Sequence, residues 1–356
     1  MGPEPGPGPA DLGAERCVDC HAATVASYAR TGMARALGPL AAGELEGLGE
    51  VAAGHGDVRY HFEGGARRDD GSVAPAWIVE SSPGSEDGPR RRSSARLAFA
   101  IGAGVLDRSF AAELHGRMWF APLEVLSADG ERARRAALAP GQVIEPGLGF
   151  ASPIAEECLA CHTDRLPPRD YPASVAPPAE WTPRGLSCAT CHGDVEGHAD
   201  WREAELGGGS PSGADPILRH AELTLEERMS VCARCHLQGD ARLALDVGAR
   251  GVPPPGGDLL EDWAIYVPAQ PDSDVAFVSQ VERLVASPCY LAARDDADPR
   301  AGLACETCHD PHRPLSDARE RRRVRDGCLA CHAPGEVPEA GRSACALPRT
   351  ARGERD

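Results

Sequence analysis

Cys188-Ala-Thr-Cys191-His192 is the stretch that decides the fold, because the same Cys-x-x-Cys-His pattern occurs six times along the 356-residue chain. Two thiols three positions apart on a helical turn can form thioethers to the two vinyl groups of one porphyrin. The histidine that follows can then ligate the iron from the same face. The pattern therefore predicts six covalently attached haems of the c type.

Twelve of the fourteen cysteines belong to these six motifs. The predicted attachment residues are Cys17, Cys20, Cys158, Cys161, Cys188, Cys191, Cys232, Cys235, Cys305, Cys308, Cys328 and Cys331. The predicted proximal iron ligands are His21, His162, His192, His236, His309 and His332. Zinc is the alternative occupant of Cys-x-x-Cys pairs, but zinc does not require a histidine directly after every second cysteine. Cys289 and Cys345 are left over, and we expect either a structural disulfide between them or two inert thiols.

The composition offers little side-chain volume for an interior. Aromatic residues make up 4% of the chain, against 40 glycines and 32 prolines. We therefore expect a mainly α protein with long loops, organised around packed haems, whose folding depends on haem attachment.

The spacing of the motifs suggests how the chain is organised. We expect a disordered segment at 1–13, a multihaem domain at 14–335 with its first haem at 17–21 and the other five at 158–332, and a flexible tail at 336–356. A small β-containing insertion is expected at about 40–150, because residues 58–62, 76–79 and 117–120 resemble short strands. Helices are predicted at 223–232, with Thr224 as N-cap and Glu227 three residues on, and at 274–286.

A second axial ligand decides whether a haem only carries electrons or also binds substrate. Six histidines lie outside the motifs, and four methionines are the alternative ligands. These candidates are His55, His61, His115, His198, His220 and His312, with Met1, Met33, Met118 and Met229.

Several segments resemble the cytochrome c554-like group of multihaem proteins, which is related to octahaem hydroxylamine oxidoreductase and pentahaem nitrite reductase. The resemblance covers most of residues 15–332 and is closest to a subgroup often fused to tetratricopeptide repeats. The segments that carry it are Ser27-Tyr-Ala-Arg-Thr-Gly-Met33, Tyr60-His61, Ile101-Gly-Ala-Gly104, Arg108-Ser-Phe110 with His115, Cys188-Ala-Thr-Cys-His-Gly193 with His198, and Cys305-Glu-Thr-Cys-His-Asp-Pro-His312.

The resemblance implies a set of distal ligands. Met33 stands where the group often has a ligating histidine, which implies a His/Met haem of raised potential. His198 and His312 are implied as ligands of haems other than those of the motifs nearest to them in sequence. His61, His115 and His220 complete six distal candidates for six irons, with His55 as a spare that could exchange roles with His61.

The resemblance to this group also favours an electron carrier over an enzyme. The related nitrite reductases use a lysine as proximal ligand of the catalytic haem, and this chain contains no lysine. The hydroxylamine-oxidising relatives have eight haems and a cross-linked tyrosine, whereas six motifs are present here. We therefore expect electron transfer through mostly six-coordinate haems. The alternative is an oxidoreductase that acts on a small nitrogen or sulfur compound at one five-coordinate haem.

Charge and hydropathy limit the partners. The formal net charge is −17, which argues against nucleic acid and favours cationic redox proteins or other cytochromes as partners. No run of 18 apolar residues is present, so no transmembrane segment is predicted. Haem attachment implies a periplasmic or other extracytoplasmic location. Because Met1-Gly-Pro-Glu-Pro lacks the basic and apolar regions of a signal peptide, we expect a further segment upstream. The alternative is that the protein never meets the haem-attachment machinery.

Overall fold

The structure is a computed structural model that describes residues 7–54, 56–84, 88–128, 133–145, 147–167, 177, 181–239, 241–246, 251–267, 279–293 and 301–331. Four residues of the sequence predictions lie outside the described residues: Met1, His55, His332 and Cys345. The predicted tail at 336–356 and positions 274–278 of the predicted helix at 274–286 also lie outside them.

An antiparallel sheet of nine strands occupies the described chain between the first two motifs. The strands are β1 (Leu37–Gly38), β2 (Val51–Ala52), β3 (Arg59–Gly64), β4 (Ala76–Ser82), β5 (Arg91–Ile101), β6 (Asp107–Leu114), β7 (Arg117–Phe120), β8 (Leu123–Ala128) and β9 (Ala133–Leu138). Their order is β2-β3-β4-β5-β6-β8-β9, with β1 paired to β5 and β7 paired to β6. The end strands β2 and β9 contact each other, so the sheet nearly closes on itself.

Alternation of apolar and polar side chains explains why β3 forms a strand. On β3, Tyr60 and Phe62 are buried while Arg59 and Glu63 are exposed, which is the period-two pattern of a sheet with one packed face. Phe62 packs edge-on against Phe110 of β6, with ring centroids 5.3 Å apart. The cluster around these rings is built from sheet residues and the loops between them, and no motif cysteine of the described chain belongs to it.

A bulge in β5 gives the sheet a second apolar face. The pairing with β6 shifts register between Leu97 and Phe99, so the extra residue turns Phe99 to the side opposite Leu97. Phe99 and Ile101 then join a separate cluster with Leu159, which lies inside the second Cys-x-x-Cys-His motif. The bulge therefore attaches the haem-binding part of the chain to the sheet.

The described motifs lie in or beside short helices. The helices are α1 (Val18–Tyr28), α2 (Pro140–Ile144), α3 (Glu156–Ala160), α4 (Ala189–His192), α5 (Val195–Leu206), α6 (Leu225–His236), α7 (Leu259–Asp262), α8 (Gln280–Val285), α9 (Pro288–Ala293), α10 (Cys305–Cys308) and α11 (Ala318–Leu329), with a 3₁₀ turn at His220–Glu222. A two-stranded ribbon pairs β10 (Ala241–Ala244) with β11 (Trp263–Tyr266). Among the described helices, none has both the length and the apolar character needed to cross a membrane.

The expected fold class is wrong. The structure is 30% helix and 23% strand and is dominated by the nearly closed sheet, so it is not mainly α. The three segments predicted as strands do lie in β3, β4 and β7, but six further strands join them. The helix predicted at 223–232 is confirmed as the start of α6, and Thr224 and Glu227 form the predicted reciprocal capping box.

Candidate haem-binding site

Motifs 1 and 3 lie against each other although they are far apart in sequence. The thiols of Cys17 and Cys188 are within hydrogen-bonding reach, and both pack in one apolar cluster with Tyr28 of α1. The Tyr28 hydroxyl donates to the Leu186 carbonyl at 3.0 Å, which fixes the chain just before motif 3. Gly185 permits this approach, because a Cβ there would lie 2.3 Å from a backbone oxygen of the segment after α1.

Motif 2 lies between the sheet and motif 4. Cys158 packs at the edge of the cluster that the β5 bulge creates. On the other side of the motif, the Cys161 thiol is within hydrogen-bonding reach of Cys235. Arg242 of β10 lies at the same place, with Nη2 3.9 Å from Cys161 Sγ. Motif 2 is therefore adjacent to motif 4 in space.

Motifs 4, 5 and 6 follow one another. Cys232 is within hydrogen-bonding reach of Cys305, and Cys305 Sγ lies 3.8 Å from the Met229 sulfur on α6. Helix α11, which carries motif 6, packs so closely on motif 5 that a Cβ on Gly327 would lie 3.0 Å from Cys308 Sγ. Arg234 of motif 4 also donates a hydrogen bond to the carbonyl of Thr190 in motif 3. In space the motifs therefore run 1, 3, 4, 5, 6, with motif 2 beside motif 4.

Three histidine rings gather at motif 3. The ring of His192 is nearly parallel to that of His312, with an interplanar angle of 11° and centroids 5.8 Å apart, and His220 lies 5.5 Å away on a tilted plane. A metal–imidazole bond of about 2 Å on each side of one iron places two ring centres about 6 Å apart. Burial, reinforced by the two neighbouring histidines, lowers the pKa of His192 to about 4. His192 is therefore neutral at physiological pH, the form that ligates iron.

The ring nitrogens distinguish the histidines further. His162 presents Nδ1 to the Ala36 carbonyl at 3.1 Å, and His198 presents Nδ1 to Asp215 Oδ1 at 2.7 Å. A metal-bound histidine characteristically donates its second N–H to a carbonyl or carboxylate, which fixes the tautomer and the ring orientation. Nδ1 also faces a side-chain oxygen in His236, His309 and His312, opposite Gln280, Glu320 and Asp310.

His220 shows the opposite arrangement. Its Nε2 lies 3.0 Å from the backbone oxygen of Cys191, so this nitrogen already has a partner in motif 3. His220 is thus beside the predicted centre but is turned away from Nε2 ligation in this conformation. His220 stays a predicted ligand that would need a ring rotation.

Two other distal candidates have their recorded contacts within the sheet. His61 lies on the solvent side of β3 and hydrogen bonds through Nε2 to Glu63 at 2.9 Å. His115 is exposed at the tip of the β6–β7 hairpin, where His115 and Gly116 both have positive φ, 53° and 72°. This pair forms the two-residue turn that antiparallel strands favour. The structure therefore gives His115 a role in the turn.

Met33 lies close to two attachment cysteines. Its partly buried side chain packs in the same apolar cluster as Cys17 and Cys188. The predicted His/Met haem thus has its methionine beside motifs 1 and 3. Cys289 is an exposed free thiol, and its predicted disulfide partner lies outside the described residues.

Sequence reasoning missed three charged residues at the motifs: Asp215, Glu320 and Arg234. Asp215 holds His198, and the almost fully buried Glu320 of α11 has Oε1 3.5 Å from His309 Nδ1. The chain has 54 acidic residues, so nothing in the sequence distinguishes these two carboxylates. Arg234 occupies a variable position of motif 4, between Cys232 and Cys235.

The donor set fits haem. The described motifs supply paired thiols on helical turns followed by imidazoles, and in His162, His236 and His309 Nδ1 is the nitrogen that faces an oxygen. Within the described residues, no group of three or more His, Cys, Asp or Glu side chains is arranged to hold a metal ion by itself.

Comparison with known proteins also supports haem binding. Residues 298–337, which contain motifs 5 and 6, match the family model described as a doubled CXXCH motif. The multiheme cytochrome MtrA of Shewanella baltica (strain OS185) is 25% identical over 199 residues, which cover 52% of this chain and 54% of that protein. These matches support a multihaem c-type cytochrome. The chain spans about half the length of that multihaem relative, and no solved structure matches it.

Proposed function

We propose that the protein is an extracytoplasmic hexahaem c-type cytochrome that transfers electrons between redox partners. The observation that carries the proposal is the contact between motifs distant in sequence, exemplified by the adjacent thiols of Cys17 and Cys188. Each haem supplies a one-electron ferric/ferrous couple when bound. Attachment at touching motifs would hold the porphyrins close together, which is the arrangement that electron transfer requires.

The protein's own residues orient several of the iron ligands and surround part of the attachment cysteines with apolar side chains. Hydrogen bonds to Nδ1 fix the rings of His162 and His198 so that Nε2 is available. The apolar clusters around α1 and α6 surround the thiols of motifs 1, 3 and 5. A low-dielectric surrounding of this kind, together with the axial ligands, sets the order of the reduction potentials.

The distal ligand set remains part of the proposal. His312 is supported by its position beside His192, His198 by its bond to Asp215, and Met33 by its packing against two attachment cysteines. Membership of the cytochrome c554-like group is proposed on the segments that end at His198 and His312.

The partners and location are proposed from charge and from the relative. A net charge of −17 would attract cationic redox proteins and accelerate their encounter, and other cytochromes are the second class of partner. A multihaem relative and covalent haem attachment support an extracytoplasmic location, with the periplasm as the specific proposal.

A second candidate function is favoured by His61 and His115. If these residues stay within the sheet, four of the six distal candidates are left for six motifs, and at least one iron would keep an open face even with His55 as a ligand. That haem would be able to bind a small nitrogen or sulfur compound and exchange electrons with it. The two functions differ in one observable, the presence of a five-coordinate, high-spin haem.

One purification tests both functions. The chain is expressed in a host with haem-maturation machinery, the haems are counted as pyridine haemochromes, and EPR spectra are recorded at low temperature. Six haems with only low-spin signals are expected for the carrier, whereas a high-spin ferric signal would favour the oxidoreductase. A matched Cys328→Ser/Cys331→Ser variant should lose one haem. A colourless wild-type protein without Soret absorbance would overturn the proposal.

A further inference from the structure

Helix α6 contains a buried arginine that is bonded to the backbone. Arg234 is 3% exposed, and its guanidinium donates to the carbonyls of Val231 at 3.3 Å, Pro253 at 2.7 Å and Thr190. Three carbonyl acceptors on one guanidinium hold the side chain in a single orientation. Burying such a charge costs free energy unless it is well hydrogen bonded, so its position is strongly constrained.

The contacts of Arg234 join three motifs. Arg234 lies between the two cysteines of motif 4, and its acceptor Thr190 lies between the two cysteines of motif 3. The backbone oxygen of Arg234 is 4.0 Å from Cys161 Sγ of motif 2, and it also accepts a hydrogen bond from Arg242 at 3.1 Å. One residue thus contacts three haem-binding segments that are separated in sequence.

The charge of Arg234 is not neutralised locally. Across the part of the chain that the structure describes, all three of its hydrogen-bond acceptors are carbonyls and no carboxylate pairs with it. Arg228, on the same helix, differs in this respect, because its Nη1 lies 3.3 Å from Glu306 Oε1 in motif 5. The two arginines can therefore be compared directly, because Arg228 has a carboxylate partner whereas Arg234 has carbonyl partners.

We propose that Arg234 is a positioning residue that joins motifs 2, 3 and 4, and that its charge raises the reduction potential of the haem attached to motif 4. The physical reason is that a nearby cation disfavours the ferric state, which carries one more positive charge than the ferrous state. A buried charge is weakly screened, so the effect persists at high salt. This inference rests on the proposed function, because it requires haem at motif 4.

The test compares charge removal with charge retention. Arg234→Gln, Arg234→Lys and Arg228→Gln are purified with their haems, counted as pyridine haemochromes and titrated by spectropotentiometry. In Arg234→Gln one haem should become at least tenfold easier to oxidise, a decrease of about 59 mV for a one-electron couple. Arg234→Lys keeps the charge and should retain the wild-type potentials with a lower melting temperature. Arg228→Gln should shift the potentials less than Arg234→Gln, because the Arg228 side chain is 17% exposed and solvent screens its charge more than that of the buried Arg234.

The outcomes separate the inference from the proposed function. Unchanged potentials in Arg234→Gln at an unchanged haem count would overturn the inference and leave the cytochrome intact. Absence of haem from the wild-type protein would overturn the proposed function instead. If Arg234→Gln does not accumulate, Arg234→Lys decides, because a shift of one potential in spite of the retained charge would contradict an electrostatic role.

Discussion

Replacing Asp215 by asparagine should raise the midpoint potential of one haem. Asp215 is nearly buried, accepts from His198 Nδ1 at 2.7 Å, and pairs with Arg202 at 3.1 Å and Arg219 at 3.0 Å. Burial acts to raise the pKa of the Asp215 carboxyl, but the hydrogen bond from His198 and the nearby positive charges outweigh it and leave the pKa below its usual range. The group is therefore an anion at neutral pH.

The size of the effect follows from the distance between this anion and the iron. If His198 Nε2 ligates iron, the 2.7 Å hydrogen bond followed by the imidazole ring and a bond of about 2 Å places the carboxylate about 7 Å from the metal. At an effective dielectric constant of about 20 that charge contributes about 2 kcal/mol to the ferric state. A tenfold change in the equilibrium constant of a one-electron couple corresponds to about 59 mV. Complete loss of this electrostatic contribution would therefore raise the midpoint potential by about 100 mV. Because His198 is 21% exposed, solvent screening reduces this, and we expect a rise of about 50 to 100 mV.

The assay is a spectropotentiometric titration of the haem-loaded protein, with Asp200→Asn as the matched control. Asp200 lies on the same helix as His198, and its side chain is 73% exposed and pairs with Arg16. Its replacement removes the same charge but should leave every potential nearly unchanged. Equal behaviour of Asp215→Asn and Asp200→Asn, at an unchanged haem count, would refute the assignment of His198 as a ligand supported by Asp215.

Two further substitutions test the sheet. Phe110→Ala removes a fully buried ring that packs on Phe62 and should cost about 3–5 kcal/mol in the free energy of unfolding, measured by denaturant titration of the circular dichroism signal. The control Leu106→Ala, at a residue that is 75% exposed, should cost little, and equal costs would contradict the proposed core. His115→Asn keeps a residue that tolerates positive φ in the hairpin turn, so the haem count and low-spin EPR signals should not change. Loss of one low-spin signal would instead identify His115 as an axial ligand.

The sequence underestimated the sheet for a physical reason. Strand β5, Arg91–Ile101, reads Arg-Arg-Ser-Ser-Ala-Arg-Leu-Ala-Phe-Ala-Ile and has few of the β-branched and aromatic residues that mark strands. It forms because β4 and β6 pair with it on both sides, and such pairing between segments is not visible in local propensity. Short apolar runs such as 76–79 were predictable because they are rich in β-branched and aromatic residues. The reciprocal cap of Thr224 and Glu227 was also predictable, since it depends only on a glutamate three residues after the N-cap threonine.

The sheet also changes the expected dependence of folding on haem. Its core around Tyr60, Phe110 and Leu123 is fully buried and made of side chains, with no motif cysteine of the described chain in it. The clusters around motifs 1, 3 and 5 contain attachment cysteines at their edges. A low aromatic content therefore limits the interior of the motif region more than that of the sheet.

The sequence by itself determined the chemistry of the sites, because thioether attachment and proximal ligation need only five consecutive residues on one helical turn. Tertiary structure decided which sites are neighbours. Cys17 meets Cys188 and Cys232 meets Cys305 only because the chain folds back on itself. The tertiary structure also decided which histidine faces a carboxylate and which faces solvent, because residue spacing along the chain does not determine where a side chain points. Local covalent chemistry is encoded in spacing, whereas proximity and burial arise from contacts between distant segments.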